Sequence, residues 1–438
     1  MAQMERFAKL SFIASCIIII FTFGVISSKY NLLPARAFDF LYRNTIQVIS
    51  TLKGELPWYY IKHSVKQPIT HQEQSKIQLG LTLITAMGPS LTPTIKVIDQ
   101  HGVTQHTWQL NWFDIWPDAT HIPKNMIPKK LPGTHIHGSK LLANGDILFN
   151  FENIGLVRID LCGNLVWKLP RLTHHSINQS ASGDFWIPSQ IRYKNKLAEF
   201  PKLIPPFKDD LILKVSPKGE VLKEISIAAL LRDNGYEGLL YLSTLKSRHI
   251  TVTGDLFHLN DVEEFPPHLE EGIFSQGDLL VSLRNISTVF VFDPTNLKIK
   301  FISTGLVTRQ HDPDFIDGNT LSVFDNNTST KGRSGKSNIV FIDALSGQKT
   351  NYFSGSKQLP FYSNIMGKHQ WLSNGNLLLT EAMNGRLLEI SPDKQLIWEY
   401  RNLVDSPAIA GIMEGGERLS AEFNINFFQA KQQACITR

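Results

Sequence analysis

The sequence predicts an all-β chain: a six-bladed β-propeller carried behind one N-terminal transmembrane helix. Three observations lead there. A unit of turn, short apolar strand, β-rich run ending in Asp, second turn and often Trp recurs six times. The recurrence has the period of a four-stranded blade. Ahead of the first copy lies an apolar run long enough to cross a bilayer. At 438 residues the chain has length for two or three average domains, yet all-β propellers use such a length as one unit. Its 42% hydrophobic content, with 26 Phe and 8 Trp, can fill a large core, and 19% charged residues without a long charge run argue against disorder.

Taken in order, Leu10 to Ser27 is the apolar run, preceded by a short segment with Arg6 and Lys9. It is long for the core of a cleaved signal peptide, so an uncleaved signal-anchor is expected. Ala35-Arg36-Ala37 resembles a cleavage site but lies too far beyond the run. Lys29, Arg36 and Arg43 follow the helix as closely as Arg6 and Lys9 precede it, so flanking charge does not set the orientation. The signal-like start places the propeller outside the cytoplasm, on the periplasmic side in a bacterium. The expected division is therefore residues 1–28 as cytoplasmic tip and single-pass anchor, 29–79 as a membrane-proximal linker, and 80–438 as propeller. Trp58, Tyr59 and Tyr60 give the linker an aromatic, interfacial character.

From Gly80 the copies follow one another. GLTLI leads to Asp99 and Trp108, and Gly145-Asp146-ILFNF to Asp160 and Trp167. Gly183-Asp184-FWIP, Gly277-Asp278-LLVSLR, Gly318-Asn319-TLSVFD and Gly375-Asn376-LLLTE head the others. The distances are 38 residues from Gly145 to Gly183 and 41 from Gly277 to Gly318. Between Gly183 and Gly277, IAALLRDNGYEGLLYL has the apolar spacing of a helical insertion. The C-terminal FNINFF is expected to add a strand to the first blade and close the ring, removing its exposed edges.

A net charge of +5 with scattered Lys and Arg excludes a basic nucleic-acid stripe. Cys16, Cys162 and Cys435 form neither a zinc spacing nor a disulfide framework, although one Cys162 to Cys435 bridge is possible.

The chemistry is sought in histidines that come shortly before the Gly turns: His137, His175, His258, His311 and His369. If the strands after those turns line the central channel, the five histidines converge at one mouth. His311 lies in TRQHDPDFIDGNTLSVFDNN, where a Gln-His-Asp triplet precedes a strand. A histidine so placed can be nucleophile, general base, metal ligand or hydrogen-bonded wall. Asn260 and Asp261 follow His258, and Arg284 is expected to end a channel strand. An Arg fork with several His and an Asn suits a tetrahedral oxyanion such as sulfate or phosphate. No glycine-rich nucleotide cradle is present, so a nucleotide donor is not expected. Zinc or copper on two or three imidazoles is the rival, which the nearby Arg disfavours.

At THHSI around His175, HLND around His258, SLR ending at Arg284, and QHDPDF with VFDN around His311, the chain resembles the bacterial arylsulfotransferases that use no nucleotide donor. The resemblance implies a six-bladed propeller without metal or cofactor. It implies ping-pong transfer from an aryl sulfate ester to a phenolic acceptor through a sulfohistidine. It assigns the nucleophile to His311, and sulfuryl-oxygen binding to His175, His258, Asn260 and Arg284, with a His to protonate the departing phenolate. His137, His369 and Lys368 are the expected substrate-binding neighbours. The last channel segment, FYSNIMGKHQW, offers Met366 with Ser363, Lys368 and His369 where the family has a threonine, and the family's short-loop cysteine pair is missing. The alternatives are a noncatalytic propeller for an anionic or aromatic ligand, and a His-rich metal-binding propeller.

Overall fold

The computed structural model describes residues 2–30, 32, 33, 35, 37, 56–242, 252–328, 335–404 and 406–436. They fall into two compact units, Met1–Trp58 and Tyr59–Arg438. In the first, one helix, Ala2–Lys29, exposes Ile17, Ile18, Ile19, Ile20 and Phe21. Its stretch Met4–Lys29 is long and apolar enough to cross a membrane.

The second unit is a six-bladed β-propeller. Blade 1 orders its strands Met413–Arg418, Thr82–Met87, Pro93–Ile98 and Thr104–Gln109. Blade 2 comprises Ile136–Leu141, Ile147–Phe151, Gly155–Ile159 and Leu165–Leu169. In blade 3 the short strands Leu172–Thr173 and Asn178–Gln179 precede Phe185–Tyr193, Leu203–Val215 and Val221–Ser226. Blade 4 runs Leu259–Glu264, Leu279–Leu283, Thr288–Asp293 and Lys298–Thr304. Blade 5 runs His311–Phe315, Thr320–Asp325, Asn338–Asp343 and Lys349–Ser354. Blade 6 runs Lys368–Trp371, Leu377–Glu381, Arg386–Ile390 and Leu396–Arg401.

Burial explains why each sequence takes its place. The second strands, such as ILFNF, LLVSL and LLLTE, are buried at every residue, whereas outer strands such as TQHTWQ and KTNYFS are largely exposed. A strand buried on both faces reads as a continuous apolar run rather than an alternating one. Six apolar clusters fill the six spaces between neighbouring blades. One joins Ile84, Ile98 and Met413 of blade 1 to Leu378, Leu387 and Trp398 of blade 6, and so seals the ring.

Three expectations are corrected. The strands after the Gly turns are second strands, and the channel is lined by the polar strands that precede those turns. Arg284 accordingly follows a second strand, Leu279–Leu283, instead of ending a channel strand. The ring is closed by Met413–Arg418, paired antiparallel with Thr82–Met87, and not by FNINFF. That segment enters a helix, Ile425–Ile436, because Asn424 Oδ1 accepts from Phe427 N at 3.1 Å and helix formers follow. A disulfide joins Cys435 on this helix to Cys162.

In the segment expected as a linker, Tyr60–Lys62 pairs with Ser406–Gly411, and Ile69–Gln72 adds a fifth strand to blade 6. The helical insertion is present as Ile227–Asp233, capped by Ser226 and buried through Ile227, Ala228, Leu230 and Leu231.

Candidate active site

Three inner strands start irregularly, and the irregularity aims the site. Pairing shifts register between Ile136 and Ser139, between Leu259 and Asp261, and between His311 and Pro313. Residues in or just ahead of the inner strands adopt left-handed φ: Gly138 at 101°, His175 at 57°, His258 at 56°, Asp312 at 47° and Met366 at 56°. A bulge bends its strand and redirects a side chain, and left-handed φ in non-glycine residues is strain that concentrates at functional sites. Glycine is required at 138, where a Cβ would lie 1.9 Å from the His175 carbonyl oxygen.

Four of the five expected histidines converge. Ring centroids are 3.7 Å apart for His137 and His175, 5.1 Å for His175 and His258, and 6.5 Å for His175 and His311. His137, His175, Asn260, His311, Met366, Lys368 and Glu414 line one small cavity on the channel axis. His369 lies further along the channel, on the wall of a second cavity of about 850 Å³. There its Nε2 meets Ser322 Oγ at 2.7 Å and its Nδ1 meets Asp312 at 3.1 Å. The Lys368 ammonium pairs with Asp312 at 3.2 Å. Burial opposes that charge, but the surrounding carboxylates outweigh it and hold the Lys368 pKa above its ordinary value.

His311 has its tautomer fixed by its neighbours. Asn326 Nδ2 donates to the carbonyls of Ser363 at 2.9 Å and Met366 at 2.7 Å, so Asn326 Oδ1 is the atom that faces His311 Nδ1, at 2.7 Å. Nδ1 therefore carries the proton and Nε2 a lone pair, which accepts from Met366 N at 3.2 Å. Burial first, with Arg284 and the other imidazoles, pushes the His311 pKa well below normal, so the ring is neutral at neutral pH.

His258 Nδ1 lies 2.6 Å from the Asp255 carboxylate, which leaves Nε2 as its open atom. Burial lowers the His258 pKa to about 4 despite that carboxylate. Burial and Arg309 lower Arg284 only to about 10, so it keeps its charge. Arg284 Nε and His175 Nε2 are buried without a hydrogen bond among the described residues, as is Asn260 Oδ1. One N–H of Asn260 is committed to the Gln310 carbonyl at 2.7 Å, leaving the other free. A charged donor left unsatisfied beside neutral imidazoles is an anion receptor.

Several residues of this site went unassigned in the sequence. Asn326 stands in the VFDN stretch, but its role depends on carbonyls some 40 positions away. Glu152 and Glu414 flank His135 and His137 from a second strand and from the closing strand. His174 backs His175, with Nδ1 to Nδ1 at 2.8 Å, and its adjacency in THHSI was the only signal.

The arylsulfotransferase (ASST) family profile matches residues 138–403, more than half of the sequence. The chain belongs to this family. The matched span holds His175, His258, Arg284 and His311 within an arylsulfotransferase domain. No curated protein matches the chain. Among solved structures, a protein of unknown function from Bacteroides caccae is 14% identical, covering 76% of this chain and 99% of its own, with a TM-score of 0.45. The WD40 propeller domain of Doa1 is 8% identical over 83% of this chain and 98% of its own, with a TM-score of 0.41. A virginiamycin B lyase from Staphylococcus aureus is 14% identical over 62% and 71%, with a TM-score of 0.34.

Proposed function

We propose that this arylsulfotransferase family member is a nucleotide-independent arylsulfate sulfotransferase that works by ping-pong transfer through His311. The observation that carries the reading is the fixed tautomer of His311: Nδ1 holds the proton, and the Nε2 lone pair, which takes the Met366 N–H at 3.2 Å until attack on sulfur displaces that bond, belongs to a residue on the wall of a cavity beside unsatisfied donors. In the first half-reaction Nε2 attacks sulfur, the bond from sulfur to the aryl oxygen breaks, and the phenolate leaves with the electron pair. The N-sulfonated ring gains positive charge, which Asn326 Oδ1 stabilises through the Nδ1 proton. Arg284, with His175 and the free N–H of Asn260, binds the sulfuryl oxygens. In the second half His258 Nε2 takes the proton of the acceptor phenol, whose oxygen attacks sulfur and restores His311. His137 and Lys368 border the donor, and the larger cavity with His369 receives the acceptor.

The N-terminal helix tethers the enzyme to a membrane as a single-pass anchor, residues 1–28, with the propeller outside the cytoplasm. The Cys162–Cys435 disulfide supports an oxidising compartment.

Brief mixing of the purified chain with 4-nitrophenyl sulfate, an alkaline quench and peptide mass spectrometry tests the reading. A sulfuryl adduct on His311, lost in His311→Ala together with transfer, is expected. Full transfer by His311→Ala removes it as nucleophile. A wild-type chain that binds the ester but neither forms adduct nor releases nitrophenolate is a binding module.

A further inference from the structure

At the edge of the histidine cluster stands a set of ligating groups of which transfer through His311 uses only His137, as a neighbour of the donor. His135 and His137, from the inner strand of blade 2 and the residue before it, face Glu414 of the closing strand and Glu152 of blade 2. His135 Nε2 is 3.3 Å from Glu152 Oε2 and 3.4 Å from Glu414 Oε1. His137 reaches the same two carboxylates at 3.7 Å each, Nδ1 to Glu152 and Nε2 to Glu414.

These separations are informative. Charge-assisted hydrogen bonds between imidazole and carboxylate close to about 2.7–2.9 Å. Four donors at about 2.0–2.1 Å around a tetrahedral cation lie about 3.3–3.4 Å from one another. The observed distances match the second figure better than the first. The Glu414 side chain is only 2% exposed, and both of its oxygens lack a hydrogen bond among the described residues, as does His137 Nδ1. A buried carboxylate without hydrogen bonds is costly unless a cation compensates it. His135, His137 and Glu414 each offer one ligand atom within 4.8 Å of the others.

A second trio of similar compactness, Asp312, Asp314 and His369, lacks this character. Asp312 and His369 are already engaged by Lys368, Ser322 and the His369 backbone N–H, and Asp314, a quarter exposed, faces His369 at 3.3 Å. Of the two, only the first holds buried carboxylate oxygens without a hydrogen bond among the described residues.

We propose that His135, His137 and Glu414, backed by Glu152, bind one divalent transition-metal ion of the zinc or manganese type. Two imidazoles and a carboxylate form a borderline-soft set suited to such ions, and two carboxylates neutralise the dication. Glu152 then acts on whichever His137 nitrogen is not ligating and holds the ring in place. The ion would join blade 2 to the strand that closes the ring. It would also sit beside the small cavity, which His137 and Glu414 share with His311.

The test uses the detergent-purified full chain, stripped with a chelator, then titrated with Zn2+ by calorimetry and analysed for bound metal. One equivalent of Zn2+ per chain is expected. Glu414→Gln should weaken binding about 100-fold or more, while Asp314→Asn in the other cluster keeps the equivalent. Substituted Co2+ should show the visible bands of a tetrahedral site in wild type and not in Glu414→Gln. His137→Gln serves if Glu414→Gln does not fold. Wild-type protein that takes up no stoichiometric metal overturns the proposal, because a proton then occupies the cluster. Undiminished binding by Glu414→Gln overturns it equally. Neither readout depends on sulfuryl transfer.

Discussion

Replacing Asn326 with Ala isolates the device that arms His311. In wild type the Asn326 carbonyl accepts from Nδ1 at 2.7 Å, so the lone pair stays on Nε2. In the variant the Nδ1 proton is buried without an acceptor, a state that costs about 1–3 kcal/mol. Shifting the proton to Nε2 masks the nucleophile at the loss of the bond from the Met366 N–H, so this cost sets the most by which the attacking tautomer can fall. At about 1.4 kcal/mol per factor of ten, that limit is roughly 5- to 150-fold. Single-turnover release of 4-nitrophenolate should therefore slow, by up to about 100-fold, with the KM for the ester nearly unchanged, since Asn326 touches no donor atom. Loss of the bonds to Ser363 and Met366 also lowers the melting temperature, so rates are compared well below it. A variant with wild-type kcat, or one whose whole loss lies in KM, refutes the tautomer argument.

Three further outcomes are expected. Arg284→Lys loses the guanidinium fork, and kcat/KM for the ester should fall about 10- to 100-fold, as for a lost charge-assisted bond; an unchanged value takes Arg284 out of donor binding. Burial raises Asp210 to about 7. The folded state thus holds this proton more tightly than the unfolded one, and stability is lost as pH rises from about 4 to 7. Asp210→Asn should gain in melting temperature over wild type by a margin that widens from pH 5 to pH 8, and a constant margin contradicts the assignment. Cys435→Ser opens a link spanning 273 residues and should cost about 2–5 kcal/mol, read as a lower melting temperature that reductant no longer shifts.

How far the sequence reached depended on the range of the interaction. The blades were legible because each repeats a local pattern, a Gly turn into a strand buried on both faces. The same turns misled about which strand faces the channel. Inner strands such as HDPDF and KHQW carry few apolar residues, so hydrophobic patterning is silent there. Four channel histidines were visible through their phase in the repeat. Their bulges were not, since histidine, like other non-glycine residues, does not favour the left-handed φ that His175 and His258 adopt. Ring closure was misplaced because FNINFF has strand-like residues, whereas MEGGER, with two glycines, looks like a loop. Its strand is imposed by pairing with Thr82–Met87. Asn326 and Glu414 were beyond reach for a simpler reason: Asn326 is held by carbonyls of the segment leading into blade 6, and Glu414 faces histidines of blade 2.

The closing strand also governs when the protein can become an enzyme. Blade 1 takes three strands from residues 82–109 and its innermost strand from residues 413–418. While the chain emerges from the ribosome it is an open arc with bare strand edges at both ends, a state prone to pairing with other chains. The channel has a gap in its wall until residues 413–418 are available, so the ring of a nascent chain stays open until that strand has been made. Proteolysis just ahead of Met413 would restore that state, switching off the whole ring by removing one strand.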